Sequence, residues 1–380
     1  MAESTSTQIT IRGKRVLPEF WHRSGEEIQL GCSRCPELKY CGGLSVRAPI
    51  FDCMSLCCGS PKTCTKFVCP KQRRYSTLVN EAGGFNLSPY LQRVAPMRQL
   101  PRYVPCLLDG GTLVGPVSLP TVAISLYSII DYRTGIAKYD SREQLLSHFK
   151  IRPDAKLVIA ATGEDRKVEN FWHIFRSKKT AASLMKLRPA LIATPNFSMH
   201  GKTVRHDNLL SMSRIVHTFE TFAAAGLPVA IHVNGRTDFD FKRWTDYLAS
   251  SPEIYAVAYE FGTIGRSSRR RAWHADRLIE LARNVSRPLT LLVRGGKNHL
   301  SRFATAFSKV IVLDTNACMK AKFRQSASRS GAKLTWHTGG TQADEPVDEL
   351  LAHNVRVSHR HTAAILRLRV RSNAQGAINS

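Results

Sequence analysis

Glu260, Asp314 and His232, together with the run Arg294-Gly295-Gly296-Lys297, are the residues whose types suit chemistry. Two carboxylates and an imidazole can move protons or attack an electrophile, while two cations on a glycine turn can hold an anion. Each of these groups lies at the end of a short apolar run or just after it, as do Asn196, Asn234, His337 and the triplet Gly163-Glu164-Asp165. Arg266, Arg269, Arg270 and Arg271 form a second basic group beside Trp273. Such a run can grip a nucleic-acid backbone while the indole stacks on a base, or it can be a solvated first helical turn.

Strands must carry these groups to one place. Apolar runs occur at 121–126, 156–161, 190–194, 228–233, 255–259, 289–293, 310–313 and 332–336. Helical periodicity separates them at 142–149, 167–186, 208–225, 239–249, 270–284, 300–307 and 317–328, and 347–353 follows the last strand. Eight βα repeats predict a (β/α)8 TIM-type barrel, because parallel strands joined by helices are buried on both faces and eight of them close. In such a barrel the carboxyl ends of all strands share one mouth, so the groups above should converge there. An open doubly wound sheet is the alternative, but the chain has neither a Gly-x-Gly-x-x-Gly nor a Gly-x-x-x-x-Gly-Lys-Ser/Thr turn. The run Tyr103–Leu108 reads as an extra strand at one end, and the alternating basic and apolar tail beyond Asn354 as an edge strand or a loose arm.

Ahead of the barrel lies a small cysteine-rich metal or iron–sulfur module. Eight of the ten cysteines, Cys32, Cys35, Cys41, Cys53, Cys57, Cys58, Cys64 and Cys69, sit within one short stretch. Without a secretion signal, such density suits zinc or an iron–sulfur cluster better than disulfides. The divisions expected are a flexible start over 1–19, the module and its connection over 20–100, the barrel over 101–353 and a basic tail over 354–380. The net charge of +26 and pI near 10.1 favour nucleic acid or another phosphate-bearing ligand as partner. No apolar run is long enough to cross a membrane and the start lacks a signal peptide's apolar core, so a cytoplasmic protein is expected.

Several blocks carry resemblances. The element Cys32-x2-Cys35-x5-Cys41-Gly42-Gly43 resembles the auxiliary-cluster modules of radical-SAM enzymes, and Cys69-Pro70 resembles the closing ligand of ferredoxin motifs, which leans the cofactor toward iron–sulfur. The radical-SAM core motif itself is not met, because position 60 is Ser60. The blocks Gly163-Glu164-Asp165 with Phe171-Trp172, Thr194-Pro195-Asn196-Phe197-Ser198, His232-Val233-Asn234, Arg243-Trp244, Glu260-Phe261-Gly262 and Val293-Arg294-Gly295-Gly296 resemble a bacterial and mobile-element family of unknown function over about residues 158–296. That resemblance implies kinship and no activity. A second resemblance, carried by Val233-Asn234-Gly235, the segment Tyr259–Arg266 and Val312-Leu313-Asp314, is to the tRNA-guanine transglycosylases and their DNA-modifying relatives, zinc-containing barrels that exchange a base. It implies Asp314 as nucleophile and Glu260 in the base pocket, although the family's Asp-Ser-Gly-Gly-Phe segment is absent and the cysteines here precede the barrel. The chain thus reads as a barrel enzyme for nucleic acid, nucleotide or another phosphate-bearing substrate. Base exchange and non-catalytic nucleic-acid binding are the alternatives.

Overall fold

The apolar runs form a closed parallel barrel in which alternate residues of each strand face the lumen and the helical layer. The structure is a computed structural model and describes residues 10–11, 14–15, 86–108, 113–175, 179–199, 205–265, 267–331, 333–342 and 344–367. The proposed cysteine ligands Cys32–Cys69 and Arg266 lie outside the described residues. Apart from a two-residue ladder between Thr10–Ile11 and Lys14–Arg15, the described chain begins at Asn86.

The barrel strands are β1 (Tyr103–Leu107), β2 (Thr121–Ser125), β3 (Lys156–Ala160), β4 (Leu191–Ala193), β5 (Val229–His232), β6 (Ala256–Glu260), β7 (Thr290–Arg294) and β8 (Lys309–Asp314). They pair in sequence order, and β8 closes the ring by pairing with both β7 and β1. The connecting helices are α1 (Leu126–Ile129), α2 (Arg142–His148), α3 (Asp165–Phe175), α4 (Lys179–Lys186), α5 (Arg205–Ala224), α6 (Asp238–Ala249), α7 (Ser268–Val285) and α8 (Leu300–Phe303). After β8 come α9 (Asn316–Lys322), the hairpin β9 (Ser326–Ser330) and β10 (Lys333–His337), and α10 (Asp348–Arg367). No helix of the described residues is long and apolar enough to cross a membrane.

Two layers of packing result. Outward residues such as Val122, Ile231, Tyr259 and Val312 join the large core beneath the helices, while Val104, Ala123, Val158, Ala230, Ala258 and Ile311 form a separate core inside the barrel. Alanines on five adjoining strands, β2 to β6, line this lumen. Its amino-terminal end is plugged by Met97 and the buried Leu100, and Lys309 Nζ and Lys156 Nζ donate to the carbonyls of Leu100 and Gln99, each at 2.6 Å.

Four expectations about the elements are corrected. The run 332–336 is not a barrel strand: β10 pairs antiparallel with β9 outside the barrel, in the register Ser326↔His337 to Ser330↔Lys333. Its residues alternate between exposed and half-buried, whereas the barrel strands are buried almost throughout. The missing strand is Tyr103–Leu107, whose Pro105 removes one ladder donor and disguises a central strand. The tail likewise does not leave the fold at Asn354. Asn354, Ser358 and Thr362 are buried at helical spacing along α10, which packs on α9, β9 and β1. Helical periodicity also ends earlier than expected in the 317–328 segment, where Lys322 ends α9 and Ser326 begins β9.

Asn354 fixes α10 to the hairpin by accepting from Ala327 N at 2.7 Å and donating to Gln325 O at 2.9 Å. Asn354→Ala should leave that buried amide unpaired and cost about 1–3 kcal/mol, read from the midpoint of urea unfolding at an unchanged slope.

Candidate active site at the carboxyl-terminal mouth

Because every barrel strand runs the same way, the strand-end residues His232, Glu260, Arg294 and Asp314 all lie at one mouth. Strand parity then sorts them. His232 shares the inner face with Ala230, Glu260 with Ala256 and Ala258, and Arg294 with Leu292. Asp314 instead shares the outer face of β8 with Val310 and Val312. Its carboxylate is taken up there: Oδ2 accepts from Tyr103 Oη at 2.9 Å, Oδ1 from Asn316 N at 3.1 Å, and Lys297 Nζ stands 3.6 Å away. The Tyr103 ring stacks on His359 of α10 with centroids 5.6 Å apart. Asp314 therefore ties the rim to the closing helix.

Glu260 is the acid on the inner face, and it is 3% exposed. Its Oε1 accepts from Gly262 N at 2.6 Å and its Oε2 from Arg294 Nε. Burial raises the carboxyl above the ordinary glutamate value and outweighs the opposing pull of the Arg294 charge and the Gly262 amide. His232 is also buried, with its backbone N donating to Thr194 Oγ1 at 2.8 Å and its ring lying near-parallel to Tyr259 at 6.4 Å. Its Nδ1 is buried without a hydrogen-bond partner. Burial, assisted by the Arg294 charge, lowers its pKa to about 3, so the imidazole is neutral around pH 7. Behind it, Tyr259 Oη and His274 Nδ1 share a hydrogen bond of 2.6 Å.

The Arg294-Gly295-Gly296-Lys297 turn has a packing reason for its glycines. Both sit at positive φ, 75° and 65°, and a Cβ on Gly296 would come within 2.8 Å of the Phe261 ring. The turn thus packs against the residue after Glu260. Its two cations are engaged by the rim acids, Arg294 by Glu260 and Lys297 by Asp314. Arg294 uses Nε alone, and among the described residues its terminal nitrogens make no hydrogen bond; the side chain is 30% exposed.

Asn196 and Asn234 join two rim loops. Asn234 Nδ2 donates to Asn196 Oδ1 at 2.9 Å and to Phe197 O at 3.1 Å, while Trp244 Nε1 holds Asn234 O at 2.7 Å. Asp165 opens α3 and accepts from Ser198 Oγ. Of the basic run, Arg269 is exposed, while Arg270 Nη1 and Arg271 Nε reach back to Ile264 O and Gly265 O at 3.4 and 2.8 Å. Trp273 is half-buried, in edge contact with Phe241 and His274, and Arg277 lies over its ring. His337 is on the hairpin, bonded to Ser328 Oγ at 2.7 Å, and does not belong to the rim.

Sequence reasoning missed Cys106 and Tyr103. Cys106 is buried on the inner face of β1, where burial pushes its thiol up to about 12 within the fields of Arg294, Asp314 and Glu260. Placing β1 outside the barrel hid both residues; its five consecutive buried positions were the available signal. Among the described residues no group of three or more His, Cys, Asp and Glu side chains could hold a metal ion.

No family model matches the chain, and no curated protein matches it. Among solved structures it is similar to nitroalkane oxidase from Streptomyces ansochromogenes, at 13% identity and a TM-score of 0.26 over 69% of this chain and 86% of that one. A likeness of that size bears on neither the fold nor the activity of this chain.

The site yields a prediction about acid stability. The native state favours neutral His232, so the stability this provides is complete above pH 6.5 and is lost as pH falls toward about 3. His232→Gln should flatten that part of the stability curve, measured by urea unfolding at a series of pH values. A second concerns the turn: Gly296→Ala should lower the thermal midpoint more than Gly339→Ala, because both have positive φ but a Cβ at Gly339 meets nothing within 4 Å.

Proposed function

We propose that the mouth is the active site of a barrel enzyme that moves a proton on a nucleotide, a nucleic acid or another phosphate-bearing substrate. The observation that carries this reading is the inner-face trio: buried Glu260, its partner Arg294 and neutral His232 on three consecutive strands of one mouth. A carboxyl raised toward neutrality is suited to general acid–base work, and a neutral imidazole can donate or accept one hydrogen bond to a reacting group. Arg294 and, at greater distance, Lys297 supply the positive field for an anion, and the net charge of +26 draws polyanions to the protein.

Base exchange with Asp314 as nucleophile is less well supported, since that carboxylate sits on the outer strand face with both oxygens engaged. Non-catalytic nucleic-acid binding remains the second reading, favoured by the net charge and by exposed Arg269. The cysteine module, Cys32 to Cys69, is proposed as a zinc or iron–sulfur centre from its spacing alone.

Nucleotides and short oligonucleotides incubated with the full chain, with products read by mass spectrometry, test the enzyme reading. Turnover should fall by about 100-fold or more in Glu260→Gln, while nucleic-acid binding survives and weakens steeply with salt. Equal turnover by the variant contradicts the assignment of Glu260, and salt-independent binding contradicts the phosphate partner. Anaerobic purification should give either a coloured, iron- and sulfide-containing protein or a colourless zinc protein, and a preparation with no bound metal contradicts the module's assignment.

A further inference from the structure

We propose that the mouth seats a small substrate anion on the terminal, Nη edge of Arg294, and that its arrival makes Glu260 take up one proton from solvent. This rests on the reading of the mouth as a site for an anionic substrate and adds how the acid is charged for its task.

The geometry is specific. Arg294 meets Glu260 through Nε, leaving the two-nitrogen edge that best fits a phosphate or carboxylate turned away from that bond and partly exposed. An anion there would share one guanidinium with a carboxylate that is 3% exposed. Two negative groups sharing one cation cannot both remain charged cheaply in a buried setting, and the proton goes to the buried one. Among the described residues, the groups around Glu260 supply no other positive charge to prevent this. Just after β6, Gly262 N holds Oε1, and on the opposite face of β6 burial raises the Tyr259 hydroxyl and keeps it neutral. On β1, burial keeps the Cys106 thiol neutral. His232 of β5 is neutral within the field of Arg294, and Lys297 is paired with Asp314 on the outer face. Arg294 is the charge that, with the Gly262 amide, draws Glu260 toward its ionised form, and a substrate anion takes part of that pull away.

The consequence is economical for catalysis. Above the pH at which Glu260 ionises in the free protein, the empty site would carry a carboxylate, and only the enzyme with its anion in place would carry a carboxylic acid next to the reacting group. The anion that positions the substrate thus also supplies the general acid.

Isothermal titration calorimetry on the full chain tests this, with sulfate as a tetrahedral anion that does not titrate near neutral pH and acetate as a planar one. Each is titrated in buffers of different ionisation enthalpy. The expected result is uptake of about one proton per anion bound, with affinity falling about tenfold per pH unit once Glu260 is ionised in the free protein. Glu260→Gln, which keeps the side-chain shape, should bind the same anion at least as tightly with no proton uptake. Binding by the wild type without proton uptake overturns the inference while leaving an anion site in place. The same uptake in Glu260→Gln overturns it as well, as does failure of both anions to bind. Acetate binding with uptake but no sulfate binding upholds the inference and removes the phosphate-bearing substrate.

Discussion

Closure of the barrel by β8, paired on one side with β7 and on the other with β1, is the constraint on which the rest depends. Once eight parallel strands close, their carboxyl ends must share a mouth, and the side chains of their last residues are divided between lumen and wall by parity alone. The chain exploits that division. Small residues line the lumen and leave room for three long polar ones, His232, Glu260 and Arg294, to turn inward at the top. Asp314, one step out of phase, turns to the wall and anchors α10 through Tyr103.

Burial then gives these groups their chemistry. A carboxylate and an imidazole taken out of water both lose their charged forms, and they move in opposite directions: Glu260 upward and His232 downward. Arg294 restores part of the ionisation of Glu260 and further suppresses that of His232, so a single guanidinium tunes both. The rim glycines allow this arrangement by letting the loop after β7 pass against Phe261, which keeps Arg294 beside the acid.

Much of this was legible in the sequence because the apolar runs of β2 to β8 are continuous and end in polar residues, and a continuous run has one natural explanation, a strand buried on both faces. Two errors have physical causes. The YVPCL strand carries a proline that normally excludes a central strand, and the KLTWH segment has strand-like residues but the alternation of a half-exposed hairpin. Which acid faces the lumen required the strand's register, since Glu260 and Asp314 look equivalent until parity is counted from the first paired residue. The pairing of Arg294 and Lys297 with carboxylates was likewise invisible, because it joins residues 34 apart in one case and links two separate strand ends in the other.

The central claim is that the inner carboxyl of the mouth is held by burial above the range of an ordinary glutamate. Infrared difference spectroscopy on protein with isotope-labelled glutamate, compared with Glu260→Gln, reads that proton directly. The account predicts a carboxylic-acid carbonyl band, absent in the variant, that persists as pH rises well past the ordinary value of about 4.3. A band that is already lost at that value would contradict it.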